Sequence, residues 1–409
     1  MKHVNTVIIG GGQAGLAMGR CLAENNIDHV ILERGQIAER WRSERWDSLC
    51  MLTPNWQSRL PHWHYQGDDP DGFMSMGEFI RHLEAYAESY EAPVETGTTV
   101  LAVERRKDGA FKVATDRGEW ISSNLVVATG FCDIPRVPGF AADLPEDVVQ
   151  IVPAQYRNPG QVPEGHVLIV GASATGLQIG EELLEAGHGV TIAVGTHIRV
   201  PRRYRGKDIL YWMDAIGAFA AQADPNDERS MPPPQLVGSL DNHDLDLNSL
   251  QNRGARLAGH ATGIIGRSIR FAGDLGETVG KADAQMFDIL GKIDGFIAAN
   301  GIEAPQGEPD AIQPVTLPVA PETLDIDAEN IRSVIWATGY SRQYPWLKVP
   351  VVDEHGEIKH KNGVTPVEGL YVLGMRFQRT KGSNIIDGVG RDAEYLTGHL
   401  MARKQALAA

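Results

Sequence analysis

An α/β fold with two Rossmann-like dinucleotide-binding domains follows from two glycine-rich loops and the runs that flank them. The first loop closes Val7-Ile8-Ile9 and reads Gly10-Gly11-Gly12-Gln13-Ala14-Gly15. The second closes Val167-Leu168-Ile169-Val170 and reads Gly171-Ala172-Ser173-Ala174-Thr175-Gly176. Each stands between a short apolar run and a stretch of helical spacing, the strand-turn-helix arrangement that brings backbone amides to a pyrophosphate. One such loop is a weak signal. Two in one chain predict two dinucleotides bound at once.

The elements can be taken in order. Val4 to Ile9 is the first strand, Gln13 to Glu24 the helix and His29 to Leu32 the second strand, ending at Glu33; together they make a βαβ unit. Tryptophans, arginines and prolines crowd Glu39 to Trp63, which reads as an ordered loop lining a site. Met76 to Glu91 has helical spacing. Thr98 to Val103 and Phe111 to Ala114 alternate as strands around an Asp108-Gly109 turn. Leu125 to Ala128 is a buried strand that runs into Thr129-Gly130. Six prolines between Pro135 and Pro163 mark the crossover between domains. A second βαβ unit runs from His166 to about Val194. A helix is expected over Arg202 to Ala221, a loop over Pro225 to Ser239 and an amphipathic helix over Thr278 to Asn300. Strands at Val334 to Ala337 and Gly369 to Gly374 precede a last helix from about Gly388 to Ala406.

Composition narrows the function. With 409 residues the chain is long enough for two or three hydrophobic cores. The net charge of −15 argues against a nucleic-acid partner, which would ask for a basic face. Three widely spaced cysteines (Cys21, Cys50 and Cys132) offer no CxxC pair, which disfavours a disulfide framework, a zinc site or a dithiol redox centre. No apolar stretch reaches the length of a membrane span and no leader is recognisable, so a cytoplasmic protein is expected. His62 and His64 flank Trp63 without a third ligand nearby, and no metal site is expected.

The loops also specify chemistry. Gly10 allows the tight turn, Gly12 lets amides approach phosphate, and Gly15 lets helix and strand pack closely. Glu33 stands about 20 residues further on, where a carboxylate accepts from ribose hydroxyls. In the second loop Ser173 replaces the middle glycine, while Gly171 and Gly176 keep the outer positions. No acid follows the second strand of that unit. Arginines follow instead, and Arg202 and Arg203 are the candidates for a 2′-phosphate, which favours NADPH over NADH. A solvated basic turn is the competing reading. The Asp69 to Met74 stretch reads either as a substrate mouth or as a turn before the next helix. Tyr211 and Trp212 read as core or as a cover over the cleft.

With these landmarks the chain resembles the two-dinucleotide flavoproteins of the flavin-containing monooxygenase type, including plant auxin-forming relatives. Further landmarks are Trp41, Trp46-Asp47-Ser48-Leu49, Thr53-Pro54, Ala128-Thr129-Gly130, Ala337-Thr338-Gly339-Tyr340 and Gly388-Val389-Gly390-Arg391-Asp392. The resemblance implies a discontinuous FAD domain (1–157 and 329–409) with an NAD(P) domain inserted (158–328), whose 200–265 segment is a lid or substrate insert. It implies FAD against Gln13, Ala14, Glu33, Arg34, Trp41, Trp46, Thr53, Val100, Ala128, Thr129, Gly130, Gly374, Gly388 and Val389. It implies the nicotinamide nucleotide against Ser173, Ala174, Thr175, Ala337, Thr338 and Gly339. The activity implied is oxygenation of a small organic substrate with NADPH and O2 through a flavin C4a-(hydro)peroxide.

Three positions depart from the family pattern. Val152 stands where a linker histidine is usual, and Ala38-Glu39 replace a double glycine. Leu52 stands where an asparagine or histidine commonly holds the oxygenated flavin; Asn55, just past Pro54, is the substitute expected for that polar contact. These changes bear on oxygen chemistry rather than on cofactor binding. An NAD(P)H oxidase or flavin reductase is therefore a second expectation, and a flavin or nicotinamide sensor without turnover a third. A homodimer is expected only on base rates.

Overall fold

The computed structural model describes residues 1–223, 232–305 and 312–408. The first part of the loop expected over 225–239 lies outside them. The chain begins with β1 (Lys2–Ile9), α1 (Gln13–Glu24), β2 (His29–Leu32) and the short α2 (Glu39–Ser43). After a long loop come α3 (Met76–Glu88), β3 (Val94–Glu95), β4 (Val100–Arg105), β5 (Phe111–Thr115) and β6 (Gly118–Val127). Helix α3 starts where its sequence says. The Ser75 hydroxyl accepts from the Glu78 amide and the Glu78 carboxylate accepts from the Ser75 amide, a reciprocal cap.

These strands form one sheet in the order β3-β2-β1-β6-β5-β4. Strands β1, β2, β3 and β6 run parallel, and β4 to β6 form an antiparallel meander. Alternation along the parallel strands loads both faces. Ile8, Ile31 and Val126 face α1, α3 and the C-terminal helix, while Val7, Val30 and Leu125 face a layer containing Tyr344, Leu347 and Val349. A parallel sheet buried on both faces calls for this run of β-branched and aliphatic residues.

The chain then crosses through β7 (Ile134–Pro135) and β8 (Val149–Ile151) into β9 (His166–Val170), α4 (Ala174–Glu185) and β10 (Gly189–Ala193). A peripheral stretch carries β11 (Ile198–Arg199), β12 (Arg203–Tyr204), β13 (Lys207–Asp208), α5 (Ile209–Ala215) and β14 (Pro234–Gln235). Next come α6 (Leu247–Asn252), β15 (Arg256–Ala258), β16 (Ala261–Ile265), β17 (Ser268–Phe271), α7 (Leu275–Ala299), β18 (Thr323–Asp325) and β19 (Ile331–Trp336). The second sheet is wholly parallel, in the order β15-β10-β9-β19-β8. The chain returns through β20 (Tyr340–Ser341), β21 (Leu370–Val372) and α8 (Ile386–Ala408).

Three expectations need correction. The boundaries at 158 and 329 fall inside the second sheet's share of the chain, because β8 lies before the first and β19 after the second, and β19 pairs with both β8 and β9. The single helix expected over 202–221 is a β12–β13 hairpin turning at Arg205 and Gly206, both at positive φ, followed by the short α5. Asp208 caps α5 by accepting from the Leu210 amide at 2.8 Å. Leu210 and Trp212 fill the core there and Tyr211 is exposed, so Trp212 is packing. The last helix begins at Ile386, two residues before Gly388. No described helix is long and apolar enough to cross a membrane.

The second domain is tied to α7 by a buried ion network. Arg199 reaches Asp246 at 2.7 Å and Asp283 at 2.6 Å, with all three side chains nearly covered. Removing one partner from such a network strands the other charges and typically costs about 3–5 kcal/mol. Arg199→Leu is therefore expected to lower the first thermal unfolding transition clearly. A midpoint within a degree or so of wild type, by calorimetry, would contradict this role.

Candidate functional site

The two glycine turns have the same construction. Gly10 has φ +112° and Gly171 φ +117°, and their amides donate to Leu32 O and Ala193 O at 2.9 and 3.0 Å. A Cβ at Gly10 would meet Ala128 O at 2.5 Å, and one at Gly171 would meet Ala337 O at 2.3 Å. A Cβ at Gly15 or Gly176 would lie 1.8 or 2.0 Å from the carbonyl oxygen of Gly10 or Gly171. The four glycines thus let helix, turn and a neighbouring strand end meet at backbone distance. Ala128-Thr129-Gly130 and Ala337-Thr338-Gly339 are equivalent segments, each following the strand that runs beside its glycine turn.

Each turn opens into a cavity. The first measures about 520 Å³ and is lined by Gly10, Gly12, Gln13, Ala14, Glu33, Arg34, Trp41, Trp46, Thr53, Val100, Ala128, Thr129, Gly130 and Gly374. Ala174 and Thr175 reach it from the second loop. The second measures about 1250 Å³ and is lined by Gly171, Ser173, Thr175, Ala337, Thr338 and Gly339. The cavities share a wall made of Phe131, Cys132, Thr175, Pro233 and Tyr340. Gly15, Gly176, Gly388 and Val389 line neither and serve packing; a Cβ on Gly388 would sit 1.9 Å from Gly382 O. Asn384, Ile385 and Ile386 line the first cavity in place of Gly388 and Val389. The sequence marked the helix but not its first turn.

The polar groups of the first cavity are arranged for a polyol and a phosphate. The Glu33 carboxylate is buried and accepts from Gly11 N at 2.7 Å and Gly35 N at 2.9 Å. Each oxygen keeps capacity to accept from a hydroxyl. Gly12 caps α1 without a side-chain bond, and a Cβ there would meet nothing within 4 Å. The first amides of α1 are therefore open to an anion. Thr53 carries a buried hydroxyl with no partner among the described residues. Trp41 donates to Gln13 Oε1 at 3.2 Å, and the Arg45 guanidinium lies 5.1 Å over its ring. Trp46 is buried in the second domain's core as well as lining the cavity, so it joins the two halves. Cys50 and Cys132 line the cavity too, but burial pushes both thiols up, away from the thiolate form.

Three sequence candidates are placed elsewhere. Asn55 lines neither cavity; its Nδ2 donates to Asp69 O at 2.9 Å and its Oδ1 accepts from Met74 N at 2.8 Å. Both ends of the amide are spent on holding the 69–74 turn, which leads into the cap of α3. Arg202 is fully buried, donates to Leu52 O and Asp208, and lies 4.9 Å over the Phe73 ring. Arg203 is exposed and donates to Gly206 O. Neither arginine lines the second cavity, so neither is placed for a 2′-phosphate. Arginines near a strand end look alike in sequence, whether they reach a ligand or plug a domain. Among the described residues no cluster of metal-ligating side chains occurs.

A dinucleotide-binding turn at each of two sheets, with a common wall between their cavities, defines an oxidoreductase architecture. A model of the pyridine nucleotide-disulphide oxidoreductase family matches residues 7–215, and the chain belongs to that family. The uncharacterized oxidoreductase CzcO-like of Geobacillus kaustophilus is 33% identical over 98% of this chain and 99% of its own length. The uncharacterized oxidoreductase CzcO of Bacillus subtilis is 30% identical over 96% and 97%. Indole-3-pyruvate monooxygenase YUCCA1 of Oryza sativa is 31% identical over 49% of this chain and 50% of its own. Among solved structures, a flavin-containing monooxygenase from Stenotrophomonas maltophilia shares the fold, with TM-score 0.69 and 19% identity over 98% of this chain and 99% of that one.

The placement of Asn55 is testable. Asn55→Ala leaves two buried backbone groups unpaired, at about 1–3 kcal/mol for each group. The variant is expected to melt several degrees lower while its ligand affinities stay within about twofold of wild type. An unchanged melting temperature would overturn the structural role.

Proposed function

We propose that the chain is an FAD-dependent monooxygenase that uses a nicotinamide nucleotide and O2 to put one oxygen atom into a small organic substrate. The observation that carries the proposal is the shared wall between two cavities, each opened by its own glycine turn. The residues of the first cavity fit FAD: an open helix N-terminus for the pyrophosphate, Glu33 for ribose hydroxyls and the unpartnered Thr53 hydroxyl for a further polar atom. The residues of the second cavity fit the nicotinamide nucleotide, since Ser173 caps α4 without a side-chain bond and leaves those amides free. An ornithine N-hydroxylase of Kutzneria sp. 744, solved with reduced FAD and NADP+, has the same fold at TM-score 0.64 and 14% identity.

When bound, FAD supplies the oxygen chemistry and the nicotinamide nucleotide the electrons. The chain's own work is placement and exclusion of water. Thr175 and Tyr340 line both cavities and would hold the two ligands on either side of one wall. Leu49, Met51, Leu52 and Ile385 give the first cavity an apolar side, which favours an apolar substrate portion and keeps water out. Since Arg202 and Arg203 are both elsewhere, the preference for NADPH loses its basis, and use of both NADPH and NADH is expected.

A second reading, an NAD(P)H oxidase without oxygen transfer, is favoured by Leu52 and by the full engagement of the Asn55 amide. One experiment separates the two. The FAD-loaded protein is mixed aerobically with NADPH or NADH, with and without a panel of amines, sulfides and ketones, while O2, nucleotide and hydrogen peroxide are followed. A monooxygenase gives, with one panel member, oxygenated product and a fall in peroxide per nucleotide consumed. Peroxide equal to nucleotide throughout the panel supports the oxidase. Bound flavin that neither nucleotide bleaches under anaerobic conditions refutes both.

A further inference from the structure

The failure of Arg202 and Arg203 to face the second cavity raises the question of what does meet the nucleotide's charge there. The far wall comes from the first domain, through Met375, Arg376, Phe377, Gln378 and Arg379. Arg379 is committed to Asp392 at 3.1 Å, and Arg342 on the same wall to Glu357 at 2.6 Å. Arg376 differs. Among the described residues it forms no hydrogen bond and no ion pair, and its guanidinium lies 5.9 Å over the Phe131 ring and 5.1 Å over the Phe377 ring. A half-buried guanidinium held between two aromatic rings, on a cavity wall and without a carboxylate, is a cation kept for something else.

Two neighbouring features point the same way. Phe377 is held at φ +52°, a region costly for a bulky residue, and such strain persists only where the surroundings enforce it. Gln378 is buried on the same wall, and among the described residues its Nε2 has no acceptor. Position then selects the ligand group. The Phe131 ring, 5.9 Å from the Arg376 guanidinium, belongs to the wall between the cavities, while Arg376 itself lines only the second; an adenosine ribose would lie by Gly195 and Thr196 just beyond β10. A nucleotide spanning those points would carry its phosphate bridge past the start of α4, where Ser173 and Thr175 line the cavity.

We infer that Arg376, presented by the first domain, binds the pyrophosphate of the nicotinamide nucleotide from the side opposite α4. This rests on the reading of the second cavity as the nicotinamide nucleotide site. Burial and the neighbouring Arg342 cation pull the Arg376 guanidinium below its ordinary pKa, and a bound phosphate would relieve that cost. Charge-assisted recognition of this kind spans both domains, so the nucleotide would draw them together.

The test is titration calorimetry on the purified protein with NAD+, NADP+, ADP-ribose and ADP; the first three share the ADP-ribose skeleton, and ADP lacks the second ribose but keeps the pyrophosphate. Arg376→Gln is expected to weaken all four by about tenfold or more and Arg376→Lys by less, because the charge remains but the fork is lost. Both variants should keep the wild-type flavin content and melting temperature. If the variant were too unstable to assay, Arg376→Lys with the salt dependence of wild-type binding would carry the test. A loss confined to NADP+ would move Arg376 to a 2′-phosphate and overturn the inference, as would unchanged affinity for all four. Wild-type protein that binds none of the four would instead overturn the reading of the cavity itself, and this inference with it.

Discussion

Both halves of the molecule depend on one steric condition: a turn must pass close enough to a neighbouring strand's end that no side chain fits between them. At Gly10 the obstacle is Ala128 O and at Gly171 it is Ala337 O. Because the turn sits so low, the helix that follows points its first amides into open space instead of at its own sheet. The cavity, its anion preference and the direction of the ligand all follow from that closeness. At the second turn the Ala337 Cβ is also near, 3.5 Å from a Cβ placed on Gly171 and 3.4 Å from one on Gly176, so a bulkier residue at 337 would crowd that turn.

The parts that sequence made legible are those governed by local physics. Helix α1 and strand β2 were readable to the residue because glycine, aliphatic runs and Glu33 act within a few positions of themselves. Helix α3 was readable from its helical spacing, which gives its start at Met76 but runs to Glu91 where the helix ends at Glu88. What stayed hidden depends on distant partners. Asn55 looked like a polar group near a proline, and only the fold shows it bridging Asp69 and Met74. Arg202 looked like a partner for a 2′-phosphate, and only the fold shows Asp208, Leu52 and Phe73 closed around it. The helix expected over 202–221 had the right apolar side for α5, but the Arg205-Gly206 turn broke it.

Sharing of material between the domains was hidden for a related reason. Strands β8 and β19 stand either side of the inserted segment's apparent ends, and their apolar patterns do not say which sheet they will join. Pairing of both with the second sheet makes the crossing segments short. Strands β7 and β20 then lie antiparallel to one another at the crossing, with Tyr340 and Ser341 opposite Pro135 and Ile134. The two passages of the chain are therefore bonded to each other where the domains meet, next to the wall that both cavities use.

The position of β21 has a consequence for how the chain is made. Strand β6 pairs with β5 over its first half and with β21 over its last residues, along one and the same edge. Helix α8, which follows β21, packs its Ala393 and Leu396 in the same core as Leu16 and Met18 of α1. The sheet that opens with β1 is thus sealed by a segment made after the whole of the second domain. Until then its apolar edge and one face wait open, while the inserted domain already has nearly all its own strands. Pairing over so long a stretch of chain is slow, and the first sheet stays exposed for longer than the second.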